Sequence, residues 1–339
     1  VSIPIRNVYY LLLYAWDQVG EGQEALVGGE DFTRLQDLLG HVLAGSVARL
    51  LTRGLDRNYI PFDETIAGIR GKLDLSGTIK ANLLVSARTR CRFDELEHDV
   101  VHNRIIKATL RNLAGADVSR EVGDHLRRLY ARMSTVSDVR ITRGDFSSVQ
   151  LHRNNRVYAF VLDVCRLIHD HLLMESGGAK ARFQDFRESD ATMAAIFERF
   201  VYNFFRKEQK RFVVGRPVIL WNEAEAPNGG LPRMHTDVVL RDPGRVIIID
   251  TKYYREALSG RFDDRVRSSH LYQVFAYVEN WKANSPGGPP VEAMLLYPVV
   301  KRPFSYDFRL KGHRITVRSI DLDQGWREIR ADLLALTAA

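Results

Sequence analysis

The sequence predicts a mixed α/β protein of about two domains, on three observations. Its 339 residues are 45% apolar and 27% charged, enough for two sizeable cores at roughly 100–200 residues per domain. Breaks rich in glycine or proline occur at Ser176-Gly177-Gly178, at Ala226–Gly230 and at Ser285–Pro290, the first near the midpoint. Beyond that midpoint, apolar runs of strand length cluster between runs of helical spacing, an order that suits a central mixed sheet flanked by helices. We therefore expect an α+β domain over 1–178 and a sheet-centred domain over 179–339.

The elements follow in order. Asn7–Trp16 and Phe32–Thr52 carry apolar residues at helical spacing. Val8–Trp16 comes nearest to a membrane span but falls short of the roughly 18 apolar residues one needs, so it is expected as a buried helix and not as a leader. Ile60–Ile79 is richer in β-branched residues and suits a short strand pair around Gly68 and Gly71. Helical spacing returns over Asn103–Ala114 and Val157–Leu173. The second half opens with a helix at Ala191–Glu208, followed by strands at Phe212–Trp221, His235–Leu240 and Val246–Asp250. A helix at Ser269–Trp281, strands at Ala293–Tyr297, Tyr306–Leu310 and Arg314–Val317, and a last helix complete the chain.

Composition narrows the function only a little. The two cysteines, Cys91 and Cys165, have no paired spacing, which excludes a disulfide framework or zinc knuckle and makes a reducing cytoplasm the expected compartment. The net charge of +7 permits a polyanionic partner without demanding one. It leans toward the second half: 24 basic and 22 acidic residues precede position 181, against 25 and 20 after it.

The segment His235–Lys252 is the most informative. Asp242-Pro243-Gly244-Arg245 is a turn signal between two apolar runs. With Pro243 and Gly244 at its centre, pairing runs outward from 242 with 245 to 237 with 250. Asp237 and Asp250 then stand opposite each other with Cβ atoms about 4.5–5.5 Å apart, and Lys252, two residues on, projects to the same face. Facing carboxylates among apolar neighbours repel unless neutralised. Mg²⁺, or Mn²⁺ in its place, is the expected remedy, since it takes one or two carboxylates and leaves positions for water and phosphate oxygens. Lys252 would then activate water or stabilise charge on a phosphate, as in metal-assisted phosphodiester hydrolysis. The bland alternative is two strand-end aspartates and a surface ion pair.

Neighbouring helices add weight. Glu198 falls at the margin of the stripe formed by Ala194, Phe197, Val201 and Phe205, as a further metal ligand or as the partner of an arginine. Gln273 and Tyr277 share a helix face, with Gln273 suited to bond the lysine, a metal-bound water or a DNA phosphate, and Tyr277 to hold the backbone.

Glutamate helix, Asp strand, Asp-x-Lys strand and Gln-x-x-x-Tyr helix together resemble the PD-(D/E)xK nuclease core in its RecB-like form, with Thr236 where the founding motif has proline. Upstream, Ile3-Pro-Ile-Arg-Asn-Val-Tyr-Tyr-Leu-Leu-Leu-Tyr-Ala-Trp16, Ile69-Arg-Gly-Lys-Leu-Asp74, Phe93-Asp-Glu-Leu96 and Asn103-Arg-Ile-Ile-Lys107 resemble the McrC family, the nuclease subunits of McrBC modified-cytosine restriction systems. That resemblance implies a Mg²⁺-dependent endonuclease on double-stranded DNA, with Asp237, Asp250, Lys252 and Gln273 in the active site and Asp237, Asp250 and Glu198 toward the metal. It implies an N-terminal domain that docks into the pore of a McrB-like AAA+ GTPase ring and stimulates it. Pairing with a second copy is expected for double-strand cleavage, and no membrane is involved. The chain lacks a phosphate loop of its own, since Gly68-Ile-Arg-Gly-Lys-Leu73 has neither the spacing nor the hydroxyl. The rival class is a non-catalytic adaptor of an AAA+ ring that retains a degenerate nuclease fold.

Other residues are expected in lesser roles. Arg70 and Lys72 around Gly71 suit the tip of a partner-binding arm or an ordinary solvated hairpin, and Arg6 and Asn7 are expected to brace the first helix. His98, His102, His169 and His171 are expected in capping or surface positions. Lys301, Arg302, Arg309, Lys311, Arg314 and Arg318 suit a DNA-tracking or merely solvated face.

Overall fold

The computed structural model describes residues 3–19, 32–152, 155, 157–174, 181–222, 230–254 and 266–338. The expected break at 176–178 and most of the one at 226–230 lie outside the described residues. The chain forms two compact units, one of Val1–Leu35 with Asp185–Ala339 and the other of Gln36–Gln184. Among the described residues no helix is long and apolar enough to cross a membrane.

A cut at 178/179 is thus not where the chain divides. The first helix, α1 (Ile5–Ala15), belongs with the C-terminal part. Its buried polar groups find their partners there: Asn7 Nδ2 donates to Leu322 O at 2.9 Å and Gln324 O at 2.8 Å, and Tyr14 OH to Glu208 Oε1 at 2.6 Å. Asn7 therefore braces a junction far away in sequence, while Arg6 is exposed.

The Gln36–Gln184 unit holds α2 (Leu35–Arg53), β1 (Asn58–Ala67), β2 (Lys72–Leu73), α3 (Leu75–Lys80), β3 (Arg88–Glu97), α4 (Val101–Ala114), α5 (Arg120–Arg132), α6 (Arg143–Ser148), α7 (Val157–His171), β4 (Leu172–Met174) and β5 (Ala181–Phe183). Strand β1 pairs antiparallel with β3 from Asn58↔Glu97 to Ala67↔Arg88, so the partner of the expected strand is a run with arginines at 88, 90 and 92 followed by acids at 94, 95 and 97. Gly71 is needed at the turn into β2: its φ is +63°, and a Cβ would meet Arg92 O at 2.4 Å. Beneath the ribbon, His102 is buried, not on the surface, with Nε2 3.1 Å from Asp56 Oδ2, because it lies on the inner face of α4.

The other unit is centred on a six-stranded mixed sheet. It contains α8 (Asp190–Glu208), β6 (Val213–Gly215), β7 (Val218–Ile219), β8 (Met234–His235), β9 (Val238–Arg241), β10 (Val246–Thr251), α9 (Ser268–Asn284), β11 (Val291–Val299), β12 (Ser305–Leu310), β13 (His313–Asp321) and α10 (Trp326–Ala335). The sheet order is β12-β13-β11-β10-β9-β6, with β10, β11 and β13 parallel to one another and the other pairs antiparallel. Val239, Val246 and Ile248 pack with Val274, Tyr277 and Val278 of α9, while α8 packs on α1 and reaches β10. Ser189 starts α8 by accepting a hydrogen bond from Thr192 N.

The strand expected at Phe212–Trp221 is broken in two. Pro217, which has no N–H to give a ladder, sits at the break. Strand β6 pairs with β9 as far as Gly215↔Val239, and β7 pairs with β8 from Val218↔His235 in a separate two-stranded ribbon. Between those pairs, Arg216 and Pro217 face Thr236, Asp237 and Val238, so the second strand carries one extra residue. This is a bulge, which re-aims side chains and ends regular pairing. Thr236 Oγ1 closes it by donating to Pro217 O at 2.7 Å.

Candidate active site

The turn at Asp242–Arg245 forms as its residues demand. Asp242 Oδ1 accepts from Gly244 N and Arg245 N at 2.8 Å each, and Asp242 N donates to Arg245 O at 3.0 Å. The observed register runs Val246↔Arg241, Ile247↔Leu240, Ile248↔Val239 and Ile249↔Val238. One further step would set Asp237 opposite Asp250, the pairing expected from the turn, but the ladder ends before it. Regular pairing stops there because the Asp237 carboxylate takes over the partner's donors: its Oδ2 accepts from both Thr251 N and Thr251 Oγ1 at 2.7 Å.

Asp250 is 1% exposed. Burial pushes its carboxyl up to about 6, with the Asp237 charge adding to the rise and the Lys252 ammonium opposing it. Lys252 Nζ lies 2.6 Å from Asp250 Oδ2. The lysine is itself held, since Nζ donates to Gln273 Oε1 at 3.0 Å, Gln273 Nε2 donates to Tyr277 OH at 2.8 Å, and Tyr277 OH donates to His235 O at 2.9 Å. That chain of hydrogen bonds ties α9 to the strand leading into Asp237. Gln273 and Tyr277 thus position the lysine and the protein backbone.

Glu198 stands differently. Its Oε1 is 3.2 Å from Arg216, and its carboxyl is raised by burial and by the charge of Asp237, with Arg216 acting against that rise. Among the described residues no three of His, Cys, Asp or Glu are gathered as a ready cage for a metal.

The donor set nevertheless fits Mg²⁺. That ion needs only one or two protein carboxylates and keeps its remaining positions for water and substrate phosphate. Asp250 Oδ2 is a buried carboxylate oxygen whose close charge partner among the described residues is the Lys252 ammonium, at 2.6 Å. Such an atom is costly to leave in place unless it has a cation to bind. Asp250 and Asp237 would hold the ion.

Two features escape the sequence reading. Thr251, which anchors Asp237, had no signal beyond the register itself. His270 is buried one turn before Gln273, with Nε2 2.9 Å from Tyr254 OH and Nδ1 2.8 Å from Tyr297 OH. Burial lowers its pKa to about 4, and the charges of Lys252 and Arg267 act in the same direction, so it is a neutral bridge between two tyrosines at pH 7. Three of the six basic residues between 301 and 318 are paired within the fold: Arg318 with Asp307 at 2.9 Å, Arg314 with Glu292 at 3.6 Å and Lys301 with Asp323 at 3.3 Å.

The family model of the McrBC 5-methylcytosine restriction system component matches residues 7–298. The chain is 32% identical over 337 residues to the Type IV methyl-directed restriction enzyme EcoKMcrBC of Escherichia coli strain K12, a match covering 98% of this chain and 96% of that protein. In fold it is similar to a chain of the refined half-complex from the tetradecameric assembly of Thermococcus gammatolerans McrB AAA+ hexamers with bound McrC. There the TM-score is 0.58 at 18% identity, over 97% of this chain and 76% of that one.

Proposed function

The chain belongs to the family of McrBC 5-methylcytosine restriction system components, and from that premise we propose that it is the DNA-cutting subunit of a GTP-driven restriction complex. The sheet unit is a PD-(D/E)xK nuclease domain, and its substrate is duplex DNA carrying modified cytosine. The observation that carries this reading is the buried Asp250 carboxylate, one residue beyond the Ile249↔Val238 pair, within reach of the Asp237 charge and 2.6 Å from a lysine that Gln273 holds in place. Asp237 and Asp250 would hold a divalent ion, which would make a bound water more acidic and offset phosphate charge. Lys252 orients the attacking water and stabilises charge on the phosphate, Gln273 and Tyr277 fix the lysine, and Thr251 fixes Asp237. Two copies acting on opposite strands account for double-strand cleavage.

The Gln36–Gln184 unit is the partner-binding part. Ile69, Leu75, Ile79, Leu84 and Val85 are all exposed at the end of its ribbon, Val85 to 81%. Exposed apolar side chains clustered in this way mark interaction surfaces. Their partner is a McrB-like AAA+ ring, and docking stimulates its GTP hydrolysis. Arg70 is not a free finger, since its guanidinium lies 4.6 Å over the Phe93 ring and pairs with Glu95. Lys72 is exposed.

The test is cleavage of a methylcytosine-containing duplex by the full chain with its AAA+ partner, GTP and Mg²⁺. Cleavage that stops on chelation supports the reading, and cleavage indifferent to chelation, or none at all, overturns it.

A further inference from the structure

Arg216 has no role in the site as described, yet it stands at its rim. It lies opposite the bulge that contains Asp237, beside Pro217, whose carbonyl accepts from Thr236. Its guanidinium makes three contacts: Nη1 to Glu198 Oε1 at 3.2 Å, Nη2 to Glu198 O at 3.2 Å, and a stack on Tyr202 at 4.3 Å from the ring centroid. Tyr202 follows Glu198 by four residues on α8, so stack and carboxylate share one helix face. The two side chains are partly exposed, 31% for Arg216 and 39% for Glu198, which leaves both able to exchange partners.

Glu198 is thus taken by an arginine where a third metal ligand would be wanted. One carboxylate cannot fully neutralise an arginine and a divalent ion together. Guanidinium, for its part, binds phosphate oxygens as readily as carboxylate, in the same forked geometry.

We propose that Arg216 is a DNA-phosphate-binding residue held in reserve by Glu198. On loading of the site, Glu198 exchanges Arg216 for the cation, and the guanidinium, still guided by the Tyr202 ring, turns to the DNA backbone. The proposal rests on the nuclease reading above and deepens it by making cation and DNA binding mutually reinforcing through one ion pair, a coupling that must hold in both directions.

The test uses the full chain, Mn²⁺ binding by titration calorimetry without DNA, and binding of a fluorescein-labelled 20-base-pair duplex with and without Ca²⁺, an ion that fills such sites without supporting cleavage. In the wild type, Ca²⁺ should tighten duplex binding about tenfold, the scale of one charge-assisted phosphate contact. Arg216→Ala should weaken duplex binding in Ca²⁺ about tenfold and yet tighten Mn²⁺ binding by about threefold, because Glu198 has lost its competitor. Glu198→Gln should bind the duplex without Ca²⁺ nearly as well as the wild type does with it. A merely structural arginine would weaken both ligands together. Arg216→Lys, which keeps the charge but loses the fork, should show smaller changes of the same signs and serves if the alanine variant is unfolded. Arg216→Ala with wild-type duplex affinity in Ca²⁺, or with weakened Mn²⁺ binding, overturns the exchange alone. Absence in the wild type of any Mn²⁺ binding that Asp250→Asn removes overturns the nuclease reading and the exchange with it.

Discussion

The candidate site and the ribbon arm both rest on an antiparallel strand pair, but they are held in opposite ways. In the site, Val238, Val239 and Leu240 face Ile247, Ile248 and Ile249, all buried, and Lys252, Gln273 and Tyr277 form a continuous chain from Asp250 to His235. In the arm, a longer ladder between β1 and β3 leaves one face of β3 exposed and the other only half-buried apart from Cys91. It is held by cross-strand pairs: Phe62 stacked on Phe93 at 5.8 Å, and Asp63 bonded to Arg90 at 2.7 Å and to Arg92 at 3.1 Å. Exposed ion pairs contribute little. The difference teaches that the lysine network of the site is complete within the fold, whereas the arm leaves large apolar side chains such as Ile69 and Val85 exposed.

If the site is complete in this sense, the largest effects should come from single atoms within it. Asp250→Asn should reduce cleavage by about 10³-fold or more, since it removes a cation-binding carboxylate without changing the volume of a buried side chain. GTPase stimulation of the partner ring should be unaffected. Asp250→Asn with near-normal cleavage would remove the basis for the comparison.

Stability should separate the two regions next. Ile248→Ala, at a fully buried position in β10, should cost about 2–5 kcal/mol in denaturant unfolding. Val85→Asp in the arm should change stability by no more than about 0.5 kcal/mol, yet abolish capture by the ring. An arm variant that unfolds the protein would mean that the arm is part of a core.

A smaller effect is expected at Gln273. Gln273→Ala should lower kcat about tenfold with little change in KM, because Lys252 loses the group that orients it but keeps its charge. Equal losses in Lys252→Ala and Gln273→Ala would show that Gln273 does more than position the lysine.

The smallest effect concerns acid stability, at the foot of the arm. Asp99 accepts from Arg104 Nε at 2.8 Å and Nη2 at 2.9 Å, and from Ser137 N at 2.8 Å and Oγ at 2.6 Å. The Arg104 guanidinium, with Ser137, holds its carboxyl well below the ordinary carboxylate range. A depressed carboxyl stabilises the fold above its unfolded pKa of about 3.9, and that contribution is lost as pH falls toward the folded value. Wild-type Tm should therefore drop more between about pH 5 and pH 3 than that of Asp99→Asn. Parallel pH profiles for the two proteins would contradict this.

The sequence was most legible where the determinants were local. Asp242-Pro-Gly-Arg245 specifies its own turn, and the turn specifies the register as far as Ile249↔Val238, one step short of Asp237 and Asp250, with Lys252 two residues beyond. Helical spacing did the same for Gln273 and Tyr277. Strand β3 was not legible, because its half-buried face carries Thr89, Glu95 and Glu97 beside Cys91 and Phe93, so its apolar alternation is faint. Nor was the bulge at Asp237, since an extra residue emerges only when two distant strands are paired. The placement of α1 with the sheet unit depends on hydrogen bonds from Asn7 and Asn203 that span up to 317 residues, and no local pattern encodes their partners.

The central claim is that cutting and partner engagement reside in separately built parts of one chain. The most direct measurement reads both in one reaction, with duplex cleavage and GTP hydrolysis followed together in the reconstituted complex for Asp250→Asn and for Val85→Asp. The account predicts full GTPase stimulation without cleavage for the first. For the second it predicts loss of stimulation, with Mn²⁺ binding at the site intact. A complex in which Asp250→Asn still cuts, or in which Val85→Asp stimulates the ring like the wild type, contradicts it.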